Sequence, residues 1–348
     1  WGLLPGDVGG WSVVVKLRRK DFIERSLSAP DLLLALEIRF HIEQERAKKE
    51  KEVELSSSEC YISRETTYFV NSRGCSGEII KSMISWDFVL LSGDNLESES
   101  WYEGSCCHHS QLDIEGKIAE YAHYARDNVK TKLPRTSKTA IVINAKTLLP
   151  LFEPLIAHSS GKFIYDNISI FKKGKPIFRG DKLRGEELNM AFNPLIPYGL
   201  RSSPFDSDGV ALDRIEIIKN GKLENIWSTK RYADYLEIPP TGRMSNIEIS
   251  HGTKNLQELL KAEDCPIYHI VMFSFLNPDL ASGDFATEIR FGYEIHPSGK
   301  RIPIKGGSIT GNIFEMLANA YFSREIEMEG NYFGPGAVKF NSVSISGS

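Results

Sequence analysis

At 348 residues the chain is long enough for about two domains, each able to bury a core. Its 42 Lys and Arg against 46 Asp and Glu leave a formal charge of −4, so no overall field draws the molecule onto nucleic acid or an anionic membrane surface. Apolar residues at 41% and charged residues at 25% exclude disordered, collagen-like and coiled-coil chains.

The opening WGLLPGDVGG has neither a basic leader nor an apolar block. No secretory signal is expected, and the start at Trp1 predicts an incomplete or processed chain. A helix is expected from Pro30 to Lys51, after the capping-box pattern Ser28-Ala29-Pro30-Asp31, with Leu32, Leu36 and Phe40 on one face. The charge run from Glu43 to Glu54 reads as its solvated side. Residues 59–92 read as strands about the turn Asn71-Ser72-Arg73-Gly74. Ile114, Ile118, Tyr121, Ala122, Ala125 and Val129 recur at helical steps and predict an amphipathic helix from Asp113 to Lys130. After the polar break from Pro134 to Lys138 comes an apolar strand, Ala140 to Ile143, which puts a domain boundary near residue 140.

Beyond it, turn chemistry separates short strands. Lys172-Lys173-Gly174-Lys175 stands between SIF and PIF, Asn220-Gly221 between IEIIK and KLENIW, and Pro297-Ser298-Gly299-Lys300 between FGYEI and RIPI. Helices are expected from Asn255 to Ala262 and from Asn312 to Arg324, the latter with Asn312 and Glu315 at capping-box spacing. The expected class is α+β: an N-terminal mixed domain over residues 1–140 and a mainly antiparallel β domain with two or three helices over 141–348. The longest apolar stretch, Ile267 to Leu276, contains His269 and Ser274 and is about half the length that a bilayer-spanning helix needs. Cys60, Cys75, Cys106, Cys107 and Cys265 form an odd set without a CxxC pair, which suits free thiols and a cytoplasmic location.

Cys106-Cys107-His108-His109 offers four metal-ligating side chains. Adjacent residues project in diverging directions and do not readily close one tetrahedron, so the expectation is a polar loop before the next helix. No phosphate loop or GxGxxG fingerprint occurs. Gly307-Ser308-Ile309-Thr310-Gly311 misses the nucleophile elbow because its second glycine falls three residues after the serine. No HExxH or HExxxH occurs among the eight histidines, so no helix-borne zinc peptidase site is expected.

Ser203-Pro204-Phe205-Asp206-Ser207-Asp208-Gly209-Val210 and then Ile217-Ile218-Lys219-Asn220-Gly221-Lys222-Leu223 resemble the TldD/PmbA family, in its PmbA (TldE) branch. Later motifs keep that family's order: Ser282-Gly283-Asp284-Phe285, Gly292, the Gly299-Lys300 turn, Pro303-Ile304 and Ile309-Thr310-Gly311-Asn312. The likeness runs from Asn144 to Gly347, is looser over residues 59–143 and nearly absent over 1–27, so part of the customary N-terminal domain is missing or divergent. The resemblance implies a subunit of a cytoplasmic, bacterial or archaeal metallopeptidase-type assembly that matures peptides and has been described as a modulator of DNA gyrase. It implies a TldD-type partner whose HExxxH helix and C-terminal cysteine bind zinc, and a peptide or unfolded protein as substrate. Here Phe152 and Glu153 stand where His-Glu would be, Ala157 replaces the second histidine and His158 comes one residue late. Pro154 is expected in a first helical turn, and Gly330-Asn331-Tyr332-Phe333-Gly334-Pro335 has no thiol. The implied subunit therefore carries no zinc of its own, and no residue is assigned as catalytic.

The motif residues also have a plain physical reading. Gly283 suits a tight bend, and Asp284 either completes a turn or accepts amides and orients a neighbour. Asp206 and Asp208 fit an Asx-type turn better than a hard-cation site, which would need more oxygens. His158 reads as a helix C-terminal contact, and Glu153 has no evident base role without a metal-bound water. A competing function is a stand-alone, non-catalytic peptide-binding or scaffolding homodimer.

Overall fold

A computed structural model describes residues 11–15 by backbone alone, and residues 50, 52–70 and 76–347 in full. The helix expected over 30–51 falls, residue 50 apart, outside the described residues, as does the 71–74 turn. The chain divides into two compact units, Trp1–Arg126 and Asp127–Ser348.

The first unit is a four-stranded antiparallel sheet in the order β1 (Trp11–Val15), β2 (Val53–Val70), β3 (Ser76–Ser92), β4 (Ser98–Cys106), followed by α1 (Ile114–Asn128). Alternation along β3 buries Ile84, Trp86, Phe88 and Leu90. Ile114, Ile118, Tyr121, Ala122 and Ala125 of the expected stripe are buried on α1, together with Tyr124 and Asn128, whereas Val129 lies past the helix end and is exposed. Phe88 meets Tyr121 edge-on at 5.8 Å, and Trp86 lies 4.7 Å from Tyr102 on β4. Beyond Arg64 and Ser82 the β2–β3 hairpin runs on as a two-stranded ribbon whose Tyr68, Val70 and Ile80 are exposed.

The second unit opens with β5 (Ser137–Asn144), α2 (Ala145–His158) and α3 (Gly161–Tyr165). Then follow β6 (Met190–Asn193), β7 (Ile215–Lys219), β8 (Lys222–Leu223), α4 (Lys230–Leu236), β9 (Asn246–Ile249) and α5 (Leu256–Leu259). The chain continues through β10 (Ile267–Phe273), β11 (Asp284–Ile295), β12 (Arg301–Ile304), β13 (Ser308–Asn312) and α6 (Ile313–Met316). It closes with β14 (Ala320–Phe322), β15 (Ile326–Glu329), β16 (Tyr332–Pro335) and β17 (Ala337–Ser346). One sheet runs β10-β5-β17-β13-β11-β12 with β14 attached to β17, and β10 pairs with β11 as well, so five strands close on themselves. The other runs β15-β16-β9-β6-β7-β8. Pairing is mainly antiparallel; β5 with β10 and β9 with β16 are parallel. The unit is α+β, as expected.

Asn220 and Gly221 hold φ of 49° and 66° between β7 and β8, the left-handed pair that a type I′ hairpin requires. The FGYEI–RIPI hairpin is present as β11 and β12. Three expectations fail. SIF and PIF are not strands: the 172–175 turn closes a loop, in which Pro176 makes only an isolated bridge to Lys222. The helix from Asn312 ends early, because Ala320–Phe322 pairs with β17 and the apolar stripe that suggested more helix is spent on that strand. Pro154 is not in a first turn. It lies with Pro150 inside α2, where each proline removes a backbone bond at a cost of about 3 kcal/mol or more. Burial of Leu148, Leu151, Phe152 and Leu155, worth about 1.5–3 kcal/mol each, offsets that cost. Those side chains are possible because α2 packs against β5, β10 and β17 of one sheet and β15 and β16 of the other.

Candidate functional site

Two polar assemblies lie on α2, one at its buried end and one on its outer face. At the buried end the last carbonyls of the helix all find donors: Trp227 Nε1 donates to Ile156 O (2.8 Å), Ser160 Oγ to Ala157 O and Ser169 Oγ to His158 O (both 2.6 Å). The His158 ring is 0% exposed and caged by Phe163, Phe171 and Phe314 at 5.2–5.4 Å. Its Nδ1 accepts the Ile170 amide (3.1 Å), so Nε2 carries the proton and donates to Ala281 O (2.9 Å). Burial lowers its pKa, and both nitrogens are engaged. Both of its contacts are to loop backbone, one of them in a loop 123 residues away along the chain.

That loop leads into Ser282-Gly283-Asp284-Phe285. Asp279 Oδ1 accepts the amides of Ala281 (3.0 Å) and Ser282 (2.7 Å). Gly283 sits at φ 78°, and a Cβ there would lie 2.6 Å from the Phe314 ring, so both backbone and space require glycine. Asn312 ties the motif to the start of α6. Its Nδ2 donates to Ser282 O (2.8 Å) and Asp284 Oδ1 (2.7 Å), while its Oδ1 accepts the Phe314 amide (3.0 Å). Hydrogen bonds from Asn312 and then Ser282 hold the Asp284 carboxyl below the ordinary carboxylate range. Phe285 is buried in the core. The structure thus brings His158, Ser282, Gly283, Asp284 and Phe285 to one region and gives each a fixing role.

Asp206 lies apart from this group. It is 3% exposed, and its Oδ1 accepts the amides of Asp208 (2.9 Å) and Val210 (3.0 Å) in the expected Asx-type turn. Its Oδ2 takes the Arg243 amide (3.1 Å), a contact no local pattern announces. Nearby, buried Asn246 accepts the Arg201 amide (2.7 Å) and donates to Asn193 O and Ser202 Oγ (both 2.9 Å). On the outer face of α2 Glu153 is exposed, yet surrounding chain raises its pKa and the Arg201 charge opposes that shift. Phe152 is 0% exposed and points into the core, while Ala157 is half-buried. Sequence reasoning missed Arg201, Arg243 and Asn246, since residues gathered from separate loops leave no spacing to read.

At the start of α2, Asn144 gives its side chain not to the helix but to His269. Arg301 Nη2 donates to His269 Nδ1 (3.3 Å), leaving Nε2–H for Asn144 Oδ1 (2.7 Å). Burial, and then the Arg301 charge, push the His269 pKa down to about 3.

In the first unit Cys106 ends β4, and His108 caps a short turn over His109–Gln111 by accepting the Ser110 amide. Burial pushes the Cys106 and Cys60 thiols up to about 11, which keeps them protonated. Among the described residues no group of three or more His, Cys, Asp or Glu is placed to hold a metal ion. None of the described helices is long and apolar enough to cross a membrane.

Residues 136–347 match the family model of the PmbA/TldA metallopeptidase C-terminal domain. The chain belongs to the TldD/PmbA family. It is 25% identical over 238 residues to a zinc metalloprotease TldD homolog of Saccharolobus solfataricus, covering 64% of this chain and 51% of that one. The chain therefore spans about half the length of that relative. TldE of Thermococcus kodakarensis shares its fold with a TM-score of 0.77 at 17% identity, covering 100% of this chain and 80% of the other. A Bacteroides thetaiotaomicron structure described as a candidate modulator of DNA gyrase has a TM-score of 0.78 at 18% identity, covering 96% and 77%.

The side chains of α2, the helix that the resemblance sets where a zinc helix would lie, do not fit the zinc named in the TldD relative. Phe152 and Ala157 offer no lone pair, and His158 has spent both nitrogens on backbone groups.

Proposed function

We propose that this chain is a PmbA-type, metal-free subunit of a cytoplasmic peptide-handling metallopeptidase complex. In this reading it pairs through its strand-rich second unit with a TldD-type subunit bearing HExxxH, shapes the path of an extended peptide, and leaves hydrolysis to the partner's zinc. The observation that supports it is α2, where the positions that the resemblance matches to the zinc ligands hold Phe152 in the core and Ala157, while His158, one residue late, is caged and fully bonded. A helix so packed cannot turn an imidazole outward without unmaking the core. Family membership supports the peptide substrate, and the free thiols of Cys60, Cys106, Cys107 and Cys265 agree with a reducing compartment.

Co-expression with a HExxxH-bearing homologue tests it. The expected result is a stable heterodimer that cleaves unstructured peptides and loses activity when the partner's histidines, not this chain's residues, are replaced. A chain that only self-associates and leaves the partner's activity unchanged would favour the scaffolding homodimer instead.

A further inference from the structure

Three tyrosines stand in ring contact at the surface of the second unit. Tyr165 of α3 lies 5.0 Å from Tyr235 and 6.1 Å from Tyr232, both of α4, and Tyr232 and Tyr235 meet at 5.9 Å, all between ring centroids. Tyr165 is 47% and Tyr235 56% exposed. The first unit has a comparable trio, Tyr102, Tyr121 and Tyr124, with neighbouring centroids 5.3 Å apart, but all three are buried and serve its core. No core accounts for the outer trio, and large aromatic side chains gathered in water favour a partner.

The cluster is also braced from beneath. Gly161 donates its amide to Trp227 O (2.8 Å) and Trp227 donates to Ser159 O (3.1 Å), so α3 and α4 start from one bonded junction. A Cβ at Gly161 would collide with Ser228, which shows how closely the two starts pack. Rings so mounted leave little to order when a ligand arrives. Charge around them is already spent. Lys162, 5.9 Å over the Tyr232 ring, is paired with Asp166, and Lys230 is paired with Asp234 at 2.5 Å. Arg231 and Glu237 add one charge of each sign, so residues 161–166 and 230–237 carry no net charge. The phenol hydroxyls are the opposite case: among the described residues none of the three makes a hydrogen bond.

We infer that Tyr165, Tyr232 and Tyr235 form a docking site for an uncharged, proline-rich segment in the polyproline II conformation. Such a segment has no internal hydrogen bonds and presents proline rings beside bare carbonyls, which suits aromatic rings rimmed by free hydroxyl donors. The rings are inclined to one another by 33°, 57° and 89°, so the surface is ridged, where a sugar face or a nucleobase would need a flat one. Local neutrality disfavours a phosphate backbone or a charged peptide. The site needs neither zinc nor a TldD-type partner.

Isothermal titration of the full chain with acetylated, amidated decaproline tests it, against a Gly-Ser repeat of the same length. Decaproline is expected to bind at least about tenfold more tightly. Because no charge is involved, its affinity should hold between about 50 and about 300 mM salt. Tyr165→Ala and Tyr235→Ala, both at exposed positions, should each weaken it about tenfold with thermal unfolding unchanged. The double variant Tyr165→Phe, Tyr235→Phe keeps the rings and should lose only several-fold, through the missing donors. Full affinity in both alanine variants overturns the site. Equal binding of the two peptides overturns the choice of proline, and cellohexaose binding more tightly than decaproline assigns the rings to a sugar instead.

Discussion

On its inner side α2 sets Leu148, Leu151, Phe152 and Leu155 against two sheets with no solvent exposure, whereas on its outer side Glu153 stands exposed, within reach of the Arg201 charge. Neighbouring positions of one helix therefore carry opposite constraints. Residue 152 is fixed by volume, and residue 153 by charge. The difference teaches how one helix divides its duties: apolar volume occupies the face that packs on the sheets, and polar chemistry stands on the face that packing does not need.

The sharpest way to break this comparison is to truncate each side. Phe152→Ala should lower stability by about 3–5 kcal/mol, read as a fall in the urea midpoint, because the cavity forms where both sheets meet the helix. Glu153→Ala should change it by no more than about 0.5 kcal/mol. Similar losses at both positions would dissolve the distinction.

Acid extends the contrast to the ends of the helix. An unfolded imidazole takes up a proton below about pH 6.5, but folded His269 does so only near pH 3, so the unfolded state binds more protons between these values. Stability should therefore fall as pH drops through that window, by up to about 1.4 kcal/mol per pH unit from His269, with His158 adding in the same direction. His269→Gln should flatten the slope measured by denaturant titration across pH 6.5 to 4.

A smaller effect belongs to Asn312→Ala, which removes the cap of α6 and the donor to Asp284. A loss of about 1–2 kcal/mol in thermal unfolding is expected. Asn312→Ser should keep a cap acceptor and lose the amide donor without adding charge, which separates the two contributions.

Local rules made part of this architecture legible. The Asn220-Gly221 hairpin follows from two positive-φ residues in a row, and α1 from a stripe that needs no knowledge of its partner. Helices α3 and α4, of 5 and 7 residues, are too short for periodicity to show and were missed. Ala320 and Tyr321 continue the helical stripe of Ile313, Met316 and Leu317, but their strand pairing with β17 is decided by Phe340 and Lys339, far along the chain. The site divides in the same way. Asp206 announced its turn, which spans four residues, but not its hold on Arg243, which spans 37. His269 stood out as a titratable group inside an apolar run, yet its partners Asn144 and Arg301 come from other strands.

The closure of β10, β5, β17, β13 and β11 on themselves has a mechanical consequence. No member of that hoop can peel away by breaking one ladder; each is stitched on two sides, and β5 passes directly into α2. A partner pressing on the outer face of the helix would push against a rim that yields all at once or not at all.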